Sequence, residues 1–346
     1  MKLDKAAEHN NFTLLRLLLA LMVVFGHFKL LSGTSYPIFP FNLADLAVDG
    51  FFVVSGYLIT ASYDGRPQLR PFYIRRLFRL YPLYIIVVLV QAVIMLAILH
   101  WGAVGSALHY VEVNAVFLNF LQYHIGTLLA GMPNPGINPS LWTLKIEVAF
   151  YIVLPFLWML VRRWGGGFLL AIFVLSVLYD FGLRHVGMVT LAKQLPGQMQ
   201  FFVLGMAAYA YRGRLRLSTG WASVFFFCLL PIIALLLTSH FAVIYPLTVA
   251  TAVFLLACRM PAVPIRTDIS YGVYLLHGPV IQFSLILGLF NDSAGGLLAI
   301  LAVVIVLALV AERLIERPGI DFGRTLSSSR TPSAKAFADP TSTPSI

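Results

Sequence analysis

No feature of this 346-residue chain constrains its fold more than the succession of apolar runs, most about 20 residues long, with basic residues gathered in alternate connections. A helix needs about 20 mostly apolar residues to cross the hydrocarbon core of a bilayer, and within that core its backbone polar groups must be satisfied internally. Runs of this kind lie near 12–31, 44–63, 82–101, 140–161, 167–181, 198–211, 219–237, 240–258, 268–289 and 294–315. Composition agrees, with 60% hydrophobic and only 11% charged residues, where a water-soluble domain carries about a quarter charged. The fold class expected is all-α: a polytopic integral membrane helical bundle of about ten transmembrane helices.

Basic residues fix the expected orientation, because Lys and Arg collect in cytoplasmic connections. Lys2 and Lys5 precede the first span, Arg66 to Arg79 follow the second, and Arg162 and Arg163 follow the fourth. Arg212, Arg214 and Arg216 follow the sixth, Arg259 and Arg266 the eighth, and residues from Arg313 to Lys335 the tenth. The alternate connections hold Arg184 and Lys193. Both termini are expected to be cytoplasmic, in a bacterial inner membrane, and the formal charge of +10 reflects these loops and not a nucleic-acid partner. The same parity makes 113–131 an outer-face lid or re-entrant piece and keeps the short run 198–211 as a span. Residues 1–11 are read as a cytoplasmic N-terminus, 12–316 as the transmembrane domain and 317–346, biased to Ser, Pro and Ala, as a disordered cytoplasmic tail. The first run has no small-residue cleavage site and reads as a retained anchor. Cys228 and Cys258 show no metal-ligand or disulfide spacing, so neither a metal nor a disulfide framework is expected.

Ionisable residues inside spans cost roughly 2.5 to 3.5 kcal/mol on insertion scales, which makes each a functional candidate. Arg16 and His27 stand eleven residues apart on one face of the first helix, about 16 Å from each other along its axis. Lys145 and Glu147 begin the fourth span, where Thr143, Glu147 and Tyr151 form a stripe at i, i+4, i+8. Asp45 and Asp49 open the second, and Tyr271, Tyr274 and His277 follow three-residue steps in the ninth. In "PFYIRRLFRLYP", Phe72, Arg75, Arg76 and Arg79 share one face of an amphipathic cytoplasmic helix whose other face is apolar. Each has a structural alternative. His27 and His277 can be packing residues, Arg16 and Lys29 can snorkel, and Glu147 can be half of an ion pair. Asp45 and Asp49 can cap a helix, and the arginine cluster can simply meet anionic lipid.

Taken in order, "RLLLALMVVFGH", "DGFFVVSGYLI", "FYIRRLFRLYP", "SLWTLKIEVAFY" and "SYGVYLLH" resemble the membrane-integral acyltransferase 3 family over residues 11 to 316. The fourth block departs from the common pattern at Lys145 while matching at Glu147. The resemblance implies transfer of an acyl group, often acetyl, from cytoplasmic acyl-CoA to a hydroxyl of a carbohydrate such as exopolysaccharide, O-antigen or a signalling oligosaccharide. It also implies that Arg16 and His27 are functional. Some relatives carry an extra carboxy-terminal hydrolase-like domain, which is not expected here.

Acyl transfer to a hydroxyl needs a base, an oxyanion site and a hold on the donor. His27 is the candidate base, with Glu147 expected at similar depth to fix its tautomer. Arg16, Arg75, Arg76 and Arg79 are candidates for the phosphates of acetyl-CoA, the expected co-substrate. Asp49, Ser55, Trp142, Lys145, Tyr271, Tyr274 and His277 are candidates for the substrate, with Lys145 and Trp142 also for the oxyanion. No Ser, Cys or Thr has an obvious base beside it, so direct transfer is expected, with an acyl-His intermediate as the alternative. Specificity for the acceptor is expected in 102–139; oligomeric state is not written in the sequence. The competing class is a proton-coupled transporter or polysaccharide flippase using the same buried groups; a purely structural or sensory membrane protein is a third.

Overall fold

A computed structural model describes residues 10–34, 43–213, 243–258, 260–265, 267–289 and 293–328; among them the regular structure is helical, without a strand. In chain order the helices are α1 (Phe12–Ser32), α2 (Ala44–Asp64), α3 (Leu69–Ile98), α4 (Val104–Ala115), α5 (Leu141–Trp164) and α6 (Gly166–His185). There follow α7 (Val189–Ala192), α8 (Leu195–Ala210), α9 (Ile244–Cys258), α10 (Ser270–Ile286), α11 (Ala294–Ala311) and α12 (Arg317–Ser328), the last two joined through a π turn at Glu312–Glu316. Expectations that fall on Lys2, Lys5, Arg214, Arg216, Cys228, Arg259, Arg266, Lys335, the run 219–237 and residues 329–346 lie outside the described residues.

Six described segments are long and apolar enough to cross a membrane: α1, α2, α3, α5, α6 and the continuous Ala294–Ser328. The expected spans at 198–211, 240–258 and 268–289 correspond to shorter helices, α8, α9 and α10, of 16, 15 and 17 residues. The bundle is inverted relative to a soluble protein only on its outside. Large apolar side chains such as Leu77, Val93, Ile152, Phe156, Leu175 and Leu178 are exposed, where a bilayer would solvate them. Inside, Val23, Val24 and Phe28 of α1, Phe52 of α2, and Phe150 stacked on Phe202 at 4.0 Å form a close-packed core.

Lipid offers no hydrophobic drive for helix association, so small residues that permit close approach carry much of the packing. Gly56 of α2 and Gly205 of α8 face each other so closely that a Cβ on either would collide with the opposing backbone, at Phe202 and Val53 respectively. The helix ends are then tied by polar contacts. At one end Asp64 accepts from Arg162 (2.6 Å), Trp158 (3.0 Å) and Tyr209 (3.0 Å), joining α2, α5 and α8. At the opposite end of α2, Asp45 takes both oxygens to Lys193 at 2.9 Å.

Two boundaries differ from the expectations. The arginine-bearing segment and the third span are one 30-residue helix, α3, which continues through Pro82 and stops at Ile98 before His100 and Trp101 take left-handed φ of 47° and 62°. Segment 113–131, by contrast, leaves α4 at Ala115 and runs on through turns, so it forms no crossing helix, as expected of a piece that does not span. It is tied down by Asn114, which donates to the Gln122 carbonyl at 2.9 Å, and just beyond it Gln282 of α10 donates to the Asn134 and Gly136 carbonyls. The second difference is the tail: residues 317–328 form α12, folded against α3. Phe322 meets the Phe78 ring at 5.0 Å, and Gly319 and Gly323 let the helix approach the Phe78 turn. Compositional bias beyond residue 325 concealed this short apolar contact strip.

A candidate active site between α1, α3, α5 and α10

The face of α1 that carries Arg16 and His27 turns into the bundle and meets different partners at its two ends. Arg16 Nη1 donates to Asp268 Oδ2 at 2.5 Å, and Arg79 Nη2 approaches the same oxygen at 3.6 Å. Asp268 itself is held by Ser270, whose hydroxyl (2.6 Å) and backbone N–H (3.2 Å) donate to Oδ1 at the start of α10. Two guanidiniums from α1 and α3 therefore share one carboxylate.

Beside this network lies a cavity of about 290 Å³, lined by Arg16, Arg76 and Arg79 together with Glu147, Tyr151, Thr143, Ser55, Tyr271 and Tyr274 and by apolar residues of α2 and α5. Helical spacing explains the arginines: Phe72, Arg75, Arg76 and Arg79 share a face of α3, and Phe72 at 0% exposure shows that this face packs inward. The opposite face carries exposed Leu77. Arg76 makes no ion pair among the described residues, and its buried Nε has no hydrogen-bond partner. Its guanidinium is held between the rings of Phe72 and Tyr151, each 5.7 Å away. Arg75 stands apart from these, in an open surface recess with Arg66 and Arg324.

Glu147 accepts a hydrogen bond from Tyr151 at 2.5 Å, the one-turn neighbour on its own helix. It belongs to the arginine cavity and is not hydrogen-bonded to His27 among the described residues. The stripe Thr143, Glu147, Tyr151 is thus a cavity wall. Tyr274 donates to Thr143 Oγ1 (2.5 Å), whose own proton goes to the Ser140 carbonyl (2.9 Å), and Tyr271 donates to the Leu80 carbonyl (2.8 Å). Both tyrosines spend their hydroxyl protons on the protein while their rings line the cavity.

At the other end of the α1 face, His27 Nδ1 lies 2.6 Å from Nε2 of His277, with the two rings 4.9 Å apart and inclined by 23°. His277 is fully buried, and its Nδ1 lies 3.1 Å from the Val273 carbonyl. Ser140 Oγ lies 3.3 Å from the same Nε2.

The remaining candidates sit elsewhere. Asp49 accepts from Tyr245 of α9 at 2.7 Å and does not line the cavity. Lys145 lies 4.9 Å from the Phe120 ring, on the 116–140 segment, and Lys193 lies 6.0 Å from the Trp142 ring. Missing from the sequence reading are Asp268, Ser140 and Glu316, a buried carboxyl of the π turn whose Oε1 has no hydrogen-bond partner. Asp268 two residues ahead of Ser270 has a helix-start pattern that points to it; Ser140 and Glu316 carry no such signal. No group of three or more His, Cys, Asp or Glu suited to a metal occurs among the described residues.

A family model described as an acyltransferase domain matches residues 9–313. Among curated proteins, the chain is 30% identical over 193 residues to nodulation protein 10 of Rhizobium leguminosarum bv. viciae, covering 49% of this chain and 50% of that one. It is 30% identical over 151 residues to an O-acetyl transferase of Shigella phage Sf6, covering 42% and 45%. A Komagataeibacter xylinus protein whose name describes a membrane-bound transacylase, BcsY, is 26% identical over 299 residues, covering 80% and 76%. The chain thus spans about half the length of the first two relatives and three quarters of the third. No solved structure matches the chain.

Proposed function

The chain belongs to the acyltransferase-domain family, and from that premise we propose that it is a membrane-bound O-acyltransferase. In this reading it moves an acyl group, most simply acetyl, from cytoplasmic acyl-CoA to a hydroxyl of a cell-surface carbohydrate, in a bacterial inner membrane with both termini inside. The observation that carries the reading is the union, on one face of α1, of an arginine-lined cavity at Arg16 with the contact of His27 to the buried His277. Names of the relatives, an O-acetyl transferase and a membrane transacylase, support the same class.

The cavity fits part of such a donor. At about 290 Å³ it is at the small end of the roughly 300–1,000 Å³ that takes a drug-sized ligand, which suits an acylated pantetheine arm better than a whole nucleotide. Arg76, with a buried unpartnered Nε–H and no ion pair among the described residues, is the group best placed to take a phosphate oxygen. Arg16 and Arg79, already sharing Asp268, set the field around it. Glu147 and Tyr151 shape the wall opposite and hold the Arg76 guanidinium in place.

Chemistry follows at His27. The imidazole takes the proton of the acceptor hydroxyl as its oxygen attacks the thioester carbonyl. The tetrahedral intermediate collapses by breaking the carbon–sulfur bond, and the proton passes from His27 to the departing thiolate. The products are an ester on the sugar and free CoA thiol. A base of this kind is worth roughly 10²- to 10⁴-fold in rate.

Purified protein incubated with radiolabelled acetyl-CoA and the isolated surface glycans of its host tests the reading. Label should appear on glycan and fall by roughly 10²- to 10⁴-fold in His27→Ala. Undiminished labelling in that variant would remove His27 as the base. Absence of label with every glycan and acyl-CoA tried would return the chain to the transporter or flippase class.

A further inference from the structure

Resting on the reading of His27 as the base, we propose that His277 is a positioning residue that fixes the tautomer of His27 and leaves the lone pair of His27 Nε2 free for the acceptor hydroxyl. A carbonyl oxygen can only accept, so the contact of His277 Nδ1 with the Val273 carbonyl at 3.1 Å places a proton on Nδ1. His277 is fully buried, and no carboxylate bonds to it among the described residues, so it is neutral and carries one proton only. Its Nε2 is therefore an acceptor. His27 Nδ1 lies 2.6 Å from that nitrogen, a separation that two lone pairs would not tolerate, so His27 Nδ1 is the donor. A neutral imidazole has one proton, and His27 has placed it on Nδ1. Its Nε2 is bare.

A free imidazole side chain prefers the proton on Nε2, which would present a donor where a base is needed. His277 reverses that preference. The contact is itself braced: Ser140 stands 3.3 Å from the same His277 nitrogen, and its backbone N–H is fixed by Asn138 Oδ1 at 3.0 Å. Asn138 in turn donates to the Leu275 carbonyl at 3.0 Å, tying the start of α5 to α10. The chain of contacts Asn138, Ser140, His277, His27 thus orders one proton without touching substrate, a role a serine-protease aspartate performs with a charge.

Nitrogen-15 spectra of the histidine-labelled full chain, with the His27 signals identified by their loss in His27→Asn, read the tautomer directly. In the native protein His27 should show a protonated Nδ1 and a bare Nε2; the opposite pattern would overturn the proposal whatever the activity. His277→Gln keeps an acceptor oxygen and should retain the tautomer and kcat within about tenfold. His277→Leu removes it, and should shift the proton to Nε2 and lower kcat by roughly 10²- to 10⁴-fold with the KM for acetyl-CoA changed less than threefold. Full kcat in a folded His277→Leu would overturn the proposal. The failure of the base assignment looks different: acyl transfer persisting in His27→Ala with the native tautomer still on Nδ1.

Discussion

Arg16 and His27 were legible as a pair because a helix repeats every 3.6 residues, and that periodicity is local. Their partners were not. Asp268 and His277 lie about 250 residues away in the chain, and only the packing of α10 against α1 brings them into contact. The expected pairing of His27 with Glu147 failed for the same reason: depth along two helices says nothing about which faces meet. Arg76 and Asp268 separate the two jobs of the arginine cluster. Removing the Arg76 guanidinium takes away the cation without an ion pair, so Arg76→Ala should raise the donor KM by roughly 10- to 100-fold, the worth of about 1.5–3 kcal/mol for a charge-assisted hydrogen bond, with little loss of stability. Asp268→Asn should do the reverse. It leaves Arg16 and Arg79 facing each other without their shared carboxylate, and the melting temperature in detergent should drop by an amount corresponding to about 1.5–3 kcal/mol. Equal effects of the two variants on KM and melting would contradict this division.

At the scale of elements, the arginine periodicity in α3 was readable, yet its direction was not. A polar face alternating with an apolar one reads as an interfacial helix; in the bundle Leu77 of the apolar face looks outward while Arg76 and Arg79 look in. Which face is buried depends on what the neighbouring helices offer, here Glu147 and Tyr151 of α5 and Asp268 before α10. Glycines give the sharper test of an element contact, because their effect is steric. Gly205→Val places a side chain against the backbone of α2 at Val53 and Tyr57, neither of which can rotate away. The expected result is a cost at or above the roughly 1–3 kcal/mol typical of overpacking, seen as a lower melting temperature or loss of monodisperse protein. Gly295→Ala serves as its counterpart in α11. The nearest atom to the new Cβ is Ser293 Oγ at 3.6 Å, an ordinary contact, so this variant should be neutral or slightly stabilising.

Across the whole molecule, the polar ties sort the described helix ends onto two faces. Asp64 gathers the ends of α2, α5 and α8 on one, where Arg66, Arg70, Arg162, Arg163 and Arg212 also lie. Asp45 and Lys193 mark the other, with the start of α5 and the segment 116–140. The first face carries the denser Arg population, so the positive-inside rule supports the proposal that it is the cytoplasmic one. That assignment has a consequence for function, because it puts Arg16, Arg76 and Arg79 nearer the donor compartment and the histidine pair nearer the acceptor. Single-cysteine variants in a background lacking Cys228 and Cys258 test it. Gly213 and Gly131 are suitable positions, since an added Cβ meets nothing within 4 Å at either. A membrane-impermeant maleimide should label Gly131→Cys in intact spheroplasts and label Gly213→Cys only after the membrane is opened. The reverse pattern would place the arginine cavity on the outside, where no CoA donor is available, and the direction of transfer proposed for this chain would fall with it.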